Sequence, residues 1–274
     1  MSFLESVLYG FVSGLAEFLP VSSQGHQAIM LRLFGLSYRE PARDVFVHIA
    51  ILLALITSCK PIFNSLMREQ RLTSGSSRRR RGDRRGVFEL RIFRSAVLPL
   101  LIGMLFYMAV RSFEKNLFVL ALVFIINGIL VIVPEYTRQG NKDGRFMSGW
   151  DGMMIGLFGA FSAIPGISRV GSMNFYTTMR GVDRNHALNW AFLLSVPALL
   201  LFMFFDIVNL FTIPLGAVSF VSVLLYFVSA IAAYCGGYLS VLMMRYLAVH
   251  TGYAGFAYYS WGAAMFTFVL YLIV

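Results

Sequence analysis

Residues 13–26 read Ser-Gly-Leu-Ala-Glu-Phe-Leu-Pro-Val-Ser-Ser-Gln-Gly-His, and residues 163–172 read Ala-Ile-Pro-Gly-Ile-Ser-Arg-Val-Gly-Ser. Each interrupts an apolar stretch, about 3–34 and 150–180, near its middle with Pro, Gly and Ser. Irregular backbone inside an apolar layer survives only where protein or a water-filled cavity satisfies its N–H and C=O groups. Both stretches therefore read as re-entrant helix–loop–helix segments, not as through-going spans. Pro20 to Ser23 and Pro165 to Ser168 share the pattern Pro-x-x-Ser, and the two prolines stand 145 positions apart in a chain of 274. Each is followed by an arginine-bearing link (Ser37-Tyr38-Arg39 and Val182-Asp183-Arg184) and then by an apolar span. The chain reads as two related halves, about 1–134 and 150–274.

Working outward, the composition demands lipid as solvent. Hydrophobic residues make up 58% of the chain and charged ones 13%, against about 25% charged in a soluble domain, and the mean hydropathy is +0.72. Spans of about 20 apolar residues are needed to cross the hydrocarbon layer. Candidates are 44–66, 95–112, 117–134, 187–208, 217–245 and 254–274, bounded by Arg43 and Arg68, Arg94 and Arg111, Lys115 and Glu135, then Arg184, Pro214 and Arg245. The expected fold is all-α and membrane-embedded, with six transmembrane helices plus the two re-entrant segments. The first stretch carries Glu5 and Glu17 and lacks the basic start of a cleavable signal. Cys59 and Cys235, one per half, read as buried free thiols; their number and spacing suit neither a disulfide framework nor zinc.

The net charge of +10 is concentrated in one tract, Arg68, Arg71, Arg78, Arg79, Arg80, Arg81, Arg84, Arg85, Arg91 and Arg94. Apolar spans flank it, so it marks a cytoplasmic loop, 68–94, obeying the positive-inside rule, and gives no reason to expect nucleic acid. Counting spans outward from that loop puts Arg138, Lys142, Arg145, Arg180, Arg184, Arg245 and His250 inside, and both termini outside. Arg32, Arg39 and Arg43 fall on the outer side. The two breaks then enter from opposite faces, the inverted repeat in which broken helices meet near the midplane and build a site.

Ionisable groups at membrane depth are costly and mark function. Here they are Glu17, His26, His48 and Arg169, with Asp151 and Asp206 nearer the span ends. An arginine in a glycine-rich break offers a fork of donors suited to phosphate oxygens. Gly166 and Gly171 would let backbone N–H groups approach the same anion, at the start of a helix. Ser22, Ser23, Ser168 and Ser172 add hydroxyls. The bland alternative for Arg169 is an ion pair with Glu17 that locks the halves together. His26 suits a general acid, base or nucleophile toward a phosphoryl group. Glu17 could hold a divalent cation, orient His26 or activate water. His48 is either a hydrogen-bond donor behind the site or a packing contact. The 14 Met and 26 Phe residues imply packing and lipid contact, not a cofactor box.

Glu-Phe-Leu-Pro-Val-Ser-Ser-x-Gly-His (17–26) and Pro-Gly-x-Ser-Arg-x-Gly (165–171) resemble the two signature motifs of the undecaprenyl-diphosphate phosphatases, the bacitracin-resistance family. The resemblance continues through 45–55, through Trp190 to Pro197 and into the last span. It implies hydrolysis of a C55 polyprenyl diphosphate at the outer face of the bacterial cytoplasmic membrane, with a divalent metal (Mg or Ca) as cofactor. Carried over by position, it implies functional roles for Glu17, Ser22, Ser23, His26, Ser168 and Arg169, with Gly166 in a phosphate loop. Taken with the residues' own chemistry, the expected catalytic set is Glu17, Ser23, His26 and Arg169, with substrate contacts from Ser22, Gly166, Ser168, Gly171 and Ser172. Glu17 would be the metal ligand. The partner is a polyprenyl diphosphate or monophosphate, and a homodimer is compatible. Departures from the family pattern are Ser13 for its first glutamate, Gln24 for a threonine, Val170 for a serine and Met173 for a threonine. Two other readings share the same residues: a polyprenyl-phosphate transporter, and an inactive lipid-phosphate-binding homologue.

Overall fold

The computed structural model describes residues 1–36, 39–74, 88–138, 140–142, 146–211 and 219–273. Arg78, Arg79, Arg80, Arg81, Arg84 and Arg85 of the basic tract, with Ser37, Tyr38, Arg145 and Pro214, lie outside the described residues. Among those described, regular structure is helical. It comprises α1 (Phe3–Phe18), α2 (Ser23–Leu33), α3 (Pro41–Ser58), α4 (Lys60–Ser74), α5 (Phe88–Leu105), the single turn α6 (Tyr107–Val110) and α7 (Leu117–Ile132). The second half contains α8 (Gly149–Ala160), α9 (Arg169–Met179), α10 (Arg184–Leu210), α11 (Phe220–His250) and α12 (Ala254–Ile273). Five segments are long and apolar enough to cross a membrane: Pro41–Ser58, Leu117–Tyr136, Arg184–Leu210, Phe220–His250 and Ala254–Ile273.

Local chemistry explains the ends. Backbone groups at helix termini have no internal partner, and in an apolar medium that deficit is severe. Polar caps meet it. Ser2 and Glu5 form a capping box at α1, and Ser148 and Asp151 repeat it at α8. Asn116, Asp183 and Ser219 cap α7, α10 and α11. Both signature stretches break as expected, after Phe18 and after Ala160, and restart at Ser23 and Arg169. The flanking spans differ from the expected windows. The segment 44–66 is divided at Cys59, because Pro61 in the first turn of α4 lacks the N–H that would continue α3. The window 95–112 is shifted: α5 begins at Phe88, carrying Arg91 and Arg94 within the helix, and stops at Leu105. Apolar windows register hydrocarbon depth, whereas helices run on past it.

Packing crosses between the halves. α1 lies along α11 and α5 along α8, while α7 packs on α12 and α3 on α10. The α1–α11 and α5–α8 contacts are made by small residues. A Cβ on Gly10 or Gly14 would collide with the backbone at Ser229 or Ala233, and one on Gly156 with the Ala96 carbonyl. Close approach of this kind replaces the hydrophobic drive that helices lack in lipid. The expectation of two buried thiols holds for Cys59, whose Sγ accepts from Arg245 Nη2 at 3.4 Å, but Cys235 is exposed on α11. An apolar window does not say which helix face looks outward.

Candidate active site

The two breaks meet, and side chains at the ends of α2 and α9 join them. Ser22 and Ser168 are the N-caps, accepting from Gly25 N and Gly171 N. Ser22 adopts φ 69°, the one left-handed non-glycine residue among those described. Neighbours hold that strained conformation in place. The Ser22 hydroxyl accepts from Gly166 N at 3.0 Å, and its carbonyl lies 2.7 Å from His26 Nδ1. Gly166, at φ 106°, supplies the matching turn in the second loop. Ser168 Oγ donates to Leu19 O at 3.0 Å. Asn127 on α7 completes the join: its Oδ1 accepts from Ser168 N at 2.8 Å, and its Nδ2 donates to Pro20 O and Ser260 Oγ, both at 3.0 Å.

A small cavity lies against this junction, lined by Glu17, Ser22, Ser23, Ser168 and Arg169 among others. It has room for about one water at most. Glu17 is engaged at both oxygens: Oε2 accepts from the Ser23 hydroxyl and Oε1 from Arg169 Nη2. Arg169 Nε donates to Ser195 Oγ at 3.2 Å. Its Nη1 is buried without a hydrogen-bond partner. Burying two charges is costly unless the pair is well placed and the remaining donors are met, so this N–H is a donor suited to an anionic acceptor. Ser23 and Arg169 are each the first residue of a helix, so the positive ends of two helix dipoles face the same spot.

His26 lies on the neighbouring wall. It lines an apolar groove of about 640 Å³ between α1, the end of α11 and α12, with Val12, Leu15, Leu19, Leu247 and Phe256. Ala16 lines both spaces. The substrate contacts expected of Gly166, Gly171 and Ser172 do not coincide with the cavity lining. Gly166 spends its N–H on Ser22. Gly171 packs against Pro20 and Val131, and Ser172 donates to Ser168 O at 2.6 Å. His48, buried on α3, pairs with Asp206 on α10 at 2.8 Å and stacks on Phe202, which lines the cavity. Sequence reasoning missed Asn127, Ser195, Tyr259 and Ser260. Each lies in an apolar span; Asn127, flanked by Ile126 and Gly128, is isolated there, and that isolation was the available signal.

The donor set does not make a protein-held metal site. No group of three His, Cys, Asp or Glu side chains converges among the described residues. Glu17 has both oxygens engaged, and Ser13, in place of a second carboxylate, donates its hydroxyl to Tyr9 O at 2.6 Å.

A family model described as bacitracin resistance protein BacA matches residues 6–266. The chain is 28% identical over 271 residues to undecaprenyl-diphosphatase 3 of Bacillus cereus, covering 98% of each. To the undecaprenyl-diphosphatase of Carboxydothermus hydrogenoformans it is 27% identical over 265 residues, covering 95% of this chain and 94% of that one. Undecaprenyl-diphosphatase 1 of Shouchella clausii is 29% identical over 203 residues, 73% of this chain and 72% of the relative.

Proposed function

This chain belongs to the bacitracin resistance protein BacA family, and from that premise we propose that it hydrolyses undecaprenyl diphosphate to the monophosphate and phosphate, in recycling of the cell-wall lipid carrier. It is a multi-pass membrane protein. The observation that carries the reading is the Ser23–Glu17–Arg169 arrangement, with a buried guanidinium N–H left over for an anion. Arg169 binds the distal phosphate, which takes over donors now held by Glu17. Ser23 Oγ attacks that phosphorus as Glu17 takes its proton; the P–O bond to the lipid phosphate breaks and the lipid monophosphate leaves. Water then attacks the phosphoserine with His26 accepting its proton, the P–Oγ bond breaks, and Glu17 returns its proton to Ser23 Oγ as phosphate leaves. Ser23 is favoured as nucleophile because its hydroxyl already meets a carboxylate, whereas both His26 nitrogens are engaged elsewhere. The polyprenyl tail lies in the apolar groove across Ala16. A cavity sized for one water admits the phosphate only as the loops part. A divalent cation, on this reading, arrives with the diphosphate, since Mg²⁺ commonly binds through substrate phosphates.

In the same reading the halves form an inverted repeat of six spans and two re-entrant hairpins, with the Arg-rich loop cytoplasmic and the site open to the outer face. Support comes from the crossed helix pairings and from α1, whose 16 residues reach about 24 Å, short of the hydrocarbon thickness. Arg39 and Arg43, on the outer side, do not oppose this orientation. Both are buried, Arg39 against Glu114 at 2.9 Å and Arg43 beside Asp44 and Glu40. Phosphate release from C55 diphosphate by purified protein in detergent tests the function. Absent release, with lipid-monophosphate binding that depends on Arg169, would favour transport instead.

A further inference from the structure

The groove ends in a polar pair. Tyr259 on α12 places its hydroxyl 2.8 Å from His26 Nε2, and the two rings stack, with centroids 5.5 Å apart and planes within 11°. His26 Nδ1 faces the Ser22 carbonyl at 2.7 Å. A carbonyl only accepts, so Nδ1 carries the proton. In the neutral ring Nε2 is then an acceptor, and the Tyr259 hydroxyl donates to it. Phe124 closes the remaining side, edge-on at 5.5 Å. The ring is held at both nitrogens and on two sides. The residue after Tyr259 extends the connection: Ser260 accepts from Asn127, which bonds to both loops. Two consecutive residues of α12 thus reach the histidine and the loop junction.

We propose that Tyr259 is a positioning residue for His26. It holds the imidazole in the Nδ1–H tautomer, with the Nε2 lone pair presented at the groove wall where the reacting water is received. Tyr259 is about half exposed at the groove, so its hydroxyl can yield Nε2 to that water, which then donates to Nε2 in its place. This rests on the hydrolysis reading only for its catalytic consequence; the positioning itself is independent.

The test uses the full-length protein in detergent, as wild type, Tyr259→Phe, His26→Ala and the double variant. Tyr259→Phe keeps the ring and removes only the hydroxyl. It should lower kcat about ten-fold, less than the roughly 10²–10⁴-fold of a whole acid–base group because His26 itself remains, with KM little changed. In the His26→Ala background the same change should cost nothing further. Nitrogen-15 NMR of histidine-labelled protein, with four histidines to resolve and His26→Ala for assignment, should show a single Nδ1–H tautomer at His26 that becomes mixed in Tyr259→Phe. Equal losses of kcat in both backgrounds, or a His26 tautomer unmoved by Tyr259→Phe, would overturn the proposal. An inactive wild type would sink the hydrolysis reading instead, and the NMR comparison would still decide the positioning.

Discussion

Glu17 and Arg169 stand 152 positions apart and meet as an ion pair whose side chains are only 6% and 3% exposed. The pair joins the end of α1 in the first half to the start of α9 in the second. Its members hold each other's charge in an apolar surround, and each also reaches a hydroxyl, Ser23 for Glu17 and Ser195 for Arg169. Under the proposed hydrolysis, structural clamp and anion receptor are the same object, and substrate phosphate would compete with an internal carboxylate for one guanidinium.

That double role predicts an uneven response to mutation. Arg169→Ala should reduce hydrolysis by at least about 10²-fold, as loss of an aimed donor does, and should destabilise the fold by about 3–5 kcal/mol because Glu17 is left charged and buried. Adding Glu17→Ala should restore much of the melting temperature but none of the activity. Additive thermal losses in the double variant would show that the two charges do not depend on each other.

Ser22 reverses the usual ranking of small residues. Its φ of 69° costs a residue with a Cβ about 1–2 kcal/mol. Ser22→Ala loses the cap and the bond from Gly166 while keeping the strain. Ser22→Gly loses the same bonds and sheds the strain, so it should be the more stable variant by about 1 kcal/mol. Thermal melts in detergent check the order, and an alanine variant more stable than the glycine one contradicts the backbone geometry.

Calcium or magnesium should not bind the lipid-free protein measurably at about 1 mM, the weak end of protein calcium sites, because Glu17 has no free oxygen and Ser13 has no charge. Ser13→Glu places a second carboxylate one helical turn before Glu17, on the same face. It should create detectable binding by calorimetry. A wild-type site of micromolar affinity would mean that Glu17 exchanges Arg169 for a cation.

Helix crossing can be probed away from the site. A Cβ on Gly14 would strike the Ala233 carbonyl, whereas one on Gly262 would meet nothing within 4 Å. Gly14→Ala should cost about 1–3 kcal/mol through overpacking, and Gly262→Ala should stabilise α12 by about 0.5–1 kcal/mol. Equal melting temperatures for the two variants would contradict the close α1–α11 contact.

Much of this protein follows from local sequence. Low charge and long apolar stretches require lipid. Pro20 and Pro165 interrupt helices because a ring nitrogen cannot donate, and Ser22 and Ser168 restart them because a serine oxygen satisfies an exposed N–H. These effects act over three or four residues and can be read along the chain. The ends of α3 and α5 were less legible, since helices extend beyond the apolar windows that signal them. What only the tertiary structure decided is which faces meet. Periodicity could not say that Arg169 reaches Glu17, that His48 reaches Asp206 on α10, or that Asn127, Tyr259 and Ser260 converge on the loops. Nor could it say that Gly166 gives its N–H to Ser22 or that Cys235 faces outward. Those outcomes depend on close helix crossings at small residues such as Gly10 and Gly14, and on burial strong enough to force distant polar groups to find one another.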